Sequence, residues 1–365
     1  MSAFKHMLLI SVLIIFLFVC CLNSVPEALL SDENEAEQAI DTARQTIIDC
    51  YEATAKAESE GANITGLTIR LNEAGNLFSK ALLARKNKDY NLATQLASEC
   101  IAKLNGFIDE ANELSEKASN DRYYDFIYNV VCSIAGAVII ICVGFAVWIT
   151  LKRRYSNGRL RVNPENYRII FLIVILASAL FAASPALSRL QVYPRTEFFS
   201  ELWILDSNHQ SENYPSNISS NQNYKIYLGI GNHLGYCAYY MVKVKFRNQT
   251  QPAPESFGSI ESRLPSTLPS LFNITAFVAD EHILEIPLTF SFNYTWNKFL
   301  SRVELSGLRL NNVWLNMSNY TVSWDNDKRA FRGFLFFEMW LYNTEVNNFQ
   351  YHGRFVGLWL NMTAY

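Results

Sequence analysis

Histidine and cysteine are scarce in this 365-residue chain, with five and seven copies. His209, His233, His282 and His352 form no HExxH or other metal-ligand spacing, and the cysteines are scattered with no CxxC, which argues against a zinc site and a disulfide-stapled mini-domain. The chain also lacks a GxSxG elbow, a phosphate-cradling glycine loop and an SxxK pair. Outside one short loop there is no basic cluster of the kind that follows a nucleic-acid backbone. These absences predict a protein that is not an enzyme and needs no cofactor or metal. Glu197, Glu201 and Asp206 are close enough in sequence to suggest a glycosidase-type carboxylate pair, but solvation of a strand edge explains them more simply.

What the chain does have is strong segregation. Between Glu27 and Lys117 there are 17 acidic and 9 basic residues, whereas Lys152, Arg153, Arg154, Arg159 and Arg161 crowd one loop against only Glu165. That loop, 152–166, lies between two apolar segments, 126–151 and 167–190, each long enough to cross a bilayer. By the positive-inside rule the loop is cytoplasmic, which places both flanking regions outside the cell. Ser133, Gly136, Ala137 and Gly144 on one span, and Ala177, Ser178, Ala179, Ala182 and Ala183 on the other, suit close helix approach. Neither apolar stretch, Phe126–Leu151 or Ile169–Leu187, carries an acid or base, which argues for an anchor rather than a transport path. Residues 1–24 have the basic, apolar and polar thirds of a signal peptide or signal anchor.

Region 27–120 reads as an extracytoplasmic three-helix bundle. Ala36, Ile40, Ala43, Ile47, Cys50, Thr54 and Ala57 recur at steps of four and three, as do Leu67, Leu71, Ala74, Phe78 and Ala81. Ala93, Ala97, Cys100, Leu104, Phe107, Ala111 and Leu114 make the third stripe, and breaks are expected at Gly61–Gly66 and near Asn87. Up-down-up packing brings Cys50 and Cys100 to one level, where they either form a disulfide or stand as two buried thiols. KNKDYNLATQLA resembles half of a tetratricopeptide-type unit, but no period near 34 residues recurs.

From 193 to 365 the period falls to two. VKVKFR alternates, and YKIYLGIGN, LTFSFNYTW, FFEMWLY and FVGLWLNM are aromatic or β-branched runs divided by turn residues, which predicts an antiparallel β-sandwich of eight or nine strands. Gln251–Pro269 is too long and Pro-rich for a hairpin turn and reads as an ordered excursion or a mobile loop. Asn63, Asn217, Asn248, Asn273, Asn293, Asn316, Asn319 and Asn361 head N-x-[ST] triplets, none of them in a span or the basic loop.

FFSELWILD at Phe198–Asp206, SENYP at Ser211–Pro215, LGIGNHLGYCAYYMVKV at Leu228–Val244 and the preceding SPAL at Ser184–Leu187 together resemble a family of archaeal membrane proteins, the domain-of-unknown-function family 1616. The resemblance covers about half of the chain. It implies an archaeal surface protein with an immunoglobulin-like sandwich and supplies no activity. Read from the residues alone, Gly231, Asn232 and His233 suit positive φ at a strand end, and His233 is the one candidate ligand among them.

The chain is thus expected to be a multidomain α + β membrane protein, at the cell membrane with both soluble regions outside. Its β-sandwich would bind a surface-layer or envelope protein or a glycan, using Trp203, Trp314, Trp340 and Trp359 as surface aromatics. The alternatives are an accessory subunit of an export or envelope-glycan assembly complex, or a purely structural envelope component.

Overall fold

The computed structural model describes residues 32–156, 168–190 and 197–363. The signal region and part of the basic loop lie outside the described residues. The chain divides into two compact units. One holds residues up to Ser59, Asn63–Glu113 and Phe198 onward; the other holds Glu60–Ala62 and Leu114–Glu197.

In the first unit, helices α1 (32–59), α2 (Thr65–Lys86) and α3 (Tyr90–Lys103) form where the stripes predict them. Ala36, Ile40, Ala43, Ile47, Cys50 and Ala57 are buried, and Leu67, Leu71, Ala74, Phe78 and Ala81 face them from α2. Asp89 caps α3 by accepting from Leu92 N at 3.2 Å. The third stripe does not lie on one helix. Leu104 ends α3, Gly106 takes φ +72, and a new helix, α4 (Phe107–Ser156), carries Phe107 and Ala111. The helix holding the first predicted span therefore begins at Phe107 rather than Phe126.

Eleven strands follow: β1 (Phe199–Leu205), β2 (Asn217–Ile218), β3 (Tyr224–His233), β4 (Ala238–Arg247), β5 (Phe272–Val278), β6 (His282–Asn297), β7 (Arg302–Leu310), β8 (Val313–Asn316), β9 (Thr321–Asp325), β10 (Ala330–Asn343) and β11 (Asn348–Met362). One sheet runs β1-β3-β6-β7-β8 and the other β5-β4-β10-β11-β2. Strand β9 pairs with β7 and β10 and so joins them. All pairings are antiparallel except β11 with β2. The short strands β2 and β8 raise the number above the expected eight or nine. The two-residue turn Asn311–Asn312, with φ 45 and 66, closes the β7–β8 hairpin.

The sheets curl over a single core that includes Ile226, Leu228, Tyr240, Val242, Phe290, Phe292, Leu335 and Phe337. The layout is that of an immunoglobulin-like sandwich with one interchange. The strand beside β3 (β6) precedes its outer neighbour (β7) in sequence, whereas the immunoglobulin order places the outer strand first.

The second sheet is covered on both faces. From β10, Phe331, Leu335, Phe337 and Met339 enter the core, yet the opposite-facing Phe334, Phe336 and Glu338 are buried too. Part of the cover is the Pro-rich segment, an ordered excursion with a single 3-10 turn at Ile260–Ser262. Ser266 N donates to Glu338 Oε1 at 2.8 Å, and Lys245 Nζ donates to Ser266 O at 2.6 Å and pairs with Glu338 Oε2 at 2.7 Å. On the neighbouring stretch of sheet, α2 lies over the edge strand β5. Asn72 donates to Phe277 O at 2.9 Å and accepts from Phe277 N at 2.8 Å, which satisfies backbone groups of an otherwise open edge. Gly75 permits the approach, since a Cβ there would collide with Thr275.

In the second unit α4 continues from Leu114, and α5 spans Arg168–Leu190. Among the described residues α4 is the one helix long and apolar enough to cross a membrane, and 6% of its apolar window is buried. A shorter apolar helix runs over Leu172–Ser184 within α5. The two helices meet at Gly136, where a Cβ would strike the ring of Phe181.

Candidate functional site

Helix α1 meets the sheet through Tyr51. Its hydroxyl donates to Cys237 O at 3.0 Å, and its ring lies 5.7 Å from Tyr239, 6.1 Å from Phe277 and 6.1 Å from Tyr342. Tyr239 stacks on Phe277 at 4.2 Å, and Phe349 closes the cluster edge-on. Two turns further along α1, Glu58 accepts from Cys237 N and, at 2.9 Å, from Asp280 N. Burial raises the Glu58 pKa, and the two backbone donors oppose that shift.

Over this aromatic floor lies an open cleft of about 720 Å³ between α1 and the β10–β11 hairpin. Tyr51, Glu52, Tyr236, Tyr342, Asn343, Glu345, Gln350, Tyr351 and His352 line it. Asn343 donates to Gln350 at 3.3 Å across the hairpin, and Tyr351 packs 5.6 Å from Trp340. Burial pushes the Tyr351 phenol up to about 12 and raises Tyr51, Tyr236 and Tyr342, so these rings stay neutral at physiological pH. His352 is pushed down to about 4, by burial and then by Arg354, and is neutral as well. Glu52 and Glu345 add two carboxyl side chains to the lining. The cleft offers aromatic surface, phenol donors and amide and carboxylate acceptors.

His352 Nε2 lies 3.0 Å from Ser200 Oγ, the spacing of a nucleophile and its base. Ser200 is fully buried and also bonds Tyr240 OH at 2.7 Å, and a histidine whose pKa is near 4 is a weak base. The chain Asn232–Tyr240–Ser200–His352 is a structural link between the two sheets.

The four tryptophans do not form a single patch. Trp203 covers Gly229 and Trp314 covers Gly307, on β1 and β8 at opposite edges of the first sheet. Lys243 Nζ sits 3.4 Å above the ring of Trp340, while Trp359, 40% exposed, lies between Arg247 at 5.3 Å and Arg332 at 4.5 Å. Nor do the acidic residues converge. Asp206 Oδ1 accepts from Asn208 N and Gln210 N, each at 2.8 Å, and closes a turn, while Glu201 lies 3.8 Å from His233.

Gly231, Asn232 and His233 lie within β3 rather than in a positive-φ turn. Asn232 is buried, and its amide donates to Tyr236 O and Val278 O, which fixes the start of the β3–β4 connection. His233 bonds Glu281 at 2.8 Å and stacks on Phe199 at 4.6 Å. Among the described residues no histidine, cysteine and acid group is arranged to hold a metal. Cys50 and Cys100 are buried free thiols; burial is the main cause that pushes them up, to about 11 and about 12, and Cys50 adds to the rise at Cys100.

Of the glycan acceptor signals, Asn63, Asn217, Asn316 and Asn319 are exposed, and Asn248, Asn273, Asn293 and Asn361 are half-buried. Asn361 donates to Asn217 at 3.0 Å, so these two side chains share one position on the surface.

No family model and no curated protein matches the chain. Among solved structures, the CARDB domain of a Pyrococcus furiosus protein, in complex with two metal ions, aligns at 9% identity with 46% of this chain and 90% of its own, with a TM-score of 0.22. A Listeria innocua beta-glucosidase in complex with glucose aligns at 8% identity with 46% of this chain and 17% of its own, also at 0.22. The PapD-like domain 7 of human CEP192 gives 12% identity over 48% of this chain and 92% of its own, at 0.19. Likeness at these scores carries no argument about fold or function.

Proposed function

We propose that this is a membrane-anchored cell-surface protein whose helix-and-sandwich unit binds an envelope protein or glycan without catalysing a reaction. The observation that carries the binding reading is the cleft floored by Tyr51 and Tyr342. Its mixture of aromatic surface with a few polar side chains is what ligand-binding clefts present.

The anchoring is supported by chain connectivity. Residues before the apolar part of α4 and residues after α5 belong to one compact unit. A chain that leaves a folded unit through a membrane and returns to it crosses an even number of times, so a span in α4 calls for a second one. The apolar helix Leu172–Ser184 suits that role. The charge of Lys152, Arg153 and Arg154 at the end of α4 favours the cytoplasm for the intervening loop. The family resemblance, read as archaeal and immunoglobulin-like, agrees with this placement.

Full-length protein in nanodiscs, titrated with purified surface polysaccharides and envelope proteins, tests the binding. The reading predicts saturable binding that Tyr236→Ala with Glu345→Ala weakens about tenfold or more at unchanged melting temperature. Binding that ignores both substitutions, or a uniformly negative panel, contradicts it.

A further inference from the structure

The outer face of the second sheet carries a buried arginine with no counter-charge. Strands β4, β10 and β11 together hold one acid, Glu338, against Lys243, Lys245, Arg247, Arg332 and Arg354, and Lys245 pairs with that acid at 2.7 Å. Arg247 stands in register with Phe334 on β10, and Phe334 with Trp359 on β11, so the three cross the sheet in one row. Arg332 lies on the same face, two residues before Phe334. The guanidiniums of Arg247 and Arg332 are 5.3 Å and 4.5 Å from the ring of Trp359. The β9–β10 turn beside them adds Asp325 and Asp327 but also Lys328 and Arg329, so the charge of the turn sums to zero.

Arg247 is 7% exposed, and its Nε has no hydrogen-bond partner among the described residues. Neither Arg247 nor Arg332 forms an ion pair among those residues. Burial is the one cause that lowers the Arg247 pKa, and no carboxylate opposes it. A guanidinium keeps its charge at any pH a cell meets, and a buried charge is ordinarily paired. The π face of Trp359 answers part of that demand but supplies no oxygen. A carboxylate, whose planar fork matches a guanidinium, would supply it. Trp359 is 40% exposed, so the same place offers apolar surface to a ring that carries its acid directly. That is the form of a uronic acid, whereas an aspartate or glutamate side chain holds its carboxylate on a flexible stem.

We propose that Arg247, Arg332 and Trp359 bind an acidic saccharide, with its carboxylate on the two guanidiniums and its ring against the tryptophan.

Calorimetric titration of the full-length protein in phosphatidylcholine nanodiscs with tetragalacturonate, its methyl ester and tetraglutamate tests this. Tetragalacturonate is expected to bind, with the uncharged ester about tenfold weaker or more, as the loss of charge-assisted bonds implies. Arg247→Gln and Arg332→Gln should each weaken tetragalacturonate by a similar factor. No binding, equal affinity for acid and ester, tetraglutamate binding as tightly as tetragalacturonate, or binding that survives both substitutions overturns the proposal. If Arg247→Gln does not fold, the ester comparison and Arg332→Gln, at a half-buried position, still decide. Tyr236→Ala with Glu345→Ala separates this site from the aromatic cleft. Tetragalacturonate binding lost in that variant and kept in both arginine variants would belong to the cleft, which overturns the present proposal and leaves the reading of the cleft intact.

Discussion

Buried polar residues in this protein act mainly as ties between segments distant in sequence. His352 reaches Ser200, and Glu58 holds the backbone at Cys237 and Asp280. Because the folded-state pKa of His352 is depressed to about 4, the unfolded chain takes up the proton first as pH falls. Stability is then intact above the ordinary histidine range and declines between about pH 6.5 and 4, by at most about 3 kcal/mol. Unfolding of the wild type and of His352→Gln across this range should show a steeper acid decline in the wild type; parallel curves would exclude His352 as a source. Exposure also ranks the acceptor asparagines. Glycopeptide mapping should find modification at Asn63, Asn316 or Asn319 before Asn248, whose amide nitrogen donates to Thr321 O at 2.9 Å. Occupancy at Asn248 alone would contradict this ranking.

Among the elements, the helical stripes were legible because each buried position follows its neighbour by three or four residues. The break between α3 and α4 was not, since Leu104 and Phe107 keep that spacing while Gly106 turns the chain. Strand β10 shows a signal that was present but underused. FLFFEMWLY lacks polar alternation because both of its faces are covered, and Glu338 is the exception because Lys245 and Ser266 meet it. The aromatic cleft had no local signature, as Tyr51, Tyr236 and Tyr351 come from three separate elements and each reads alone as a core or surface tyrosine. Glu338→Gln should destabilise the unit by about 3–5 kcal/mol by stranding a buried lysine, whereas Lys245→Met with Glu338→Leu should recover much of that loss. Chemical denaturation of the three proteins measures this, and equal stability of Glu338→Gln and wild type would show the pair to be solvated.

At the scale of the whole molecule, the central claim is that the chain folds one unit from its two ends and anchors it by the segment between. Asn63 in the α1–α2 turn and Asn319 before β9 both belong to the unit that the apolar helices leave and rejoin, and Asn157 lies between those helices. The most direct measurement is the reactivity of short tags inserted singly at Asn63, Asn157 and Asn319 toward an impermeant reagent on intact cells and on lysed ones. The prediction is that tags at Asn63 and Asn319 react on intact cells, while the tag at Asn157 reacts only after lysis. Different sidedness for Asn63 and Asn319, or an Asn157 tag reached on intact cells, would contradict it.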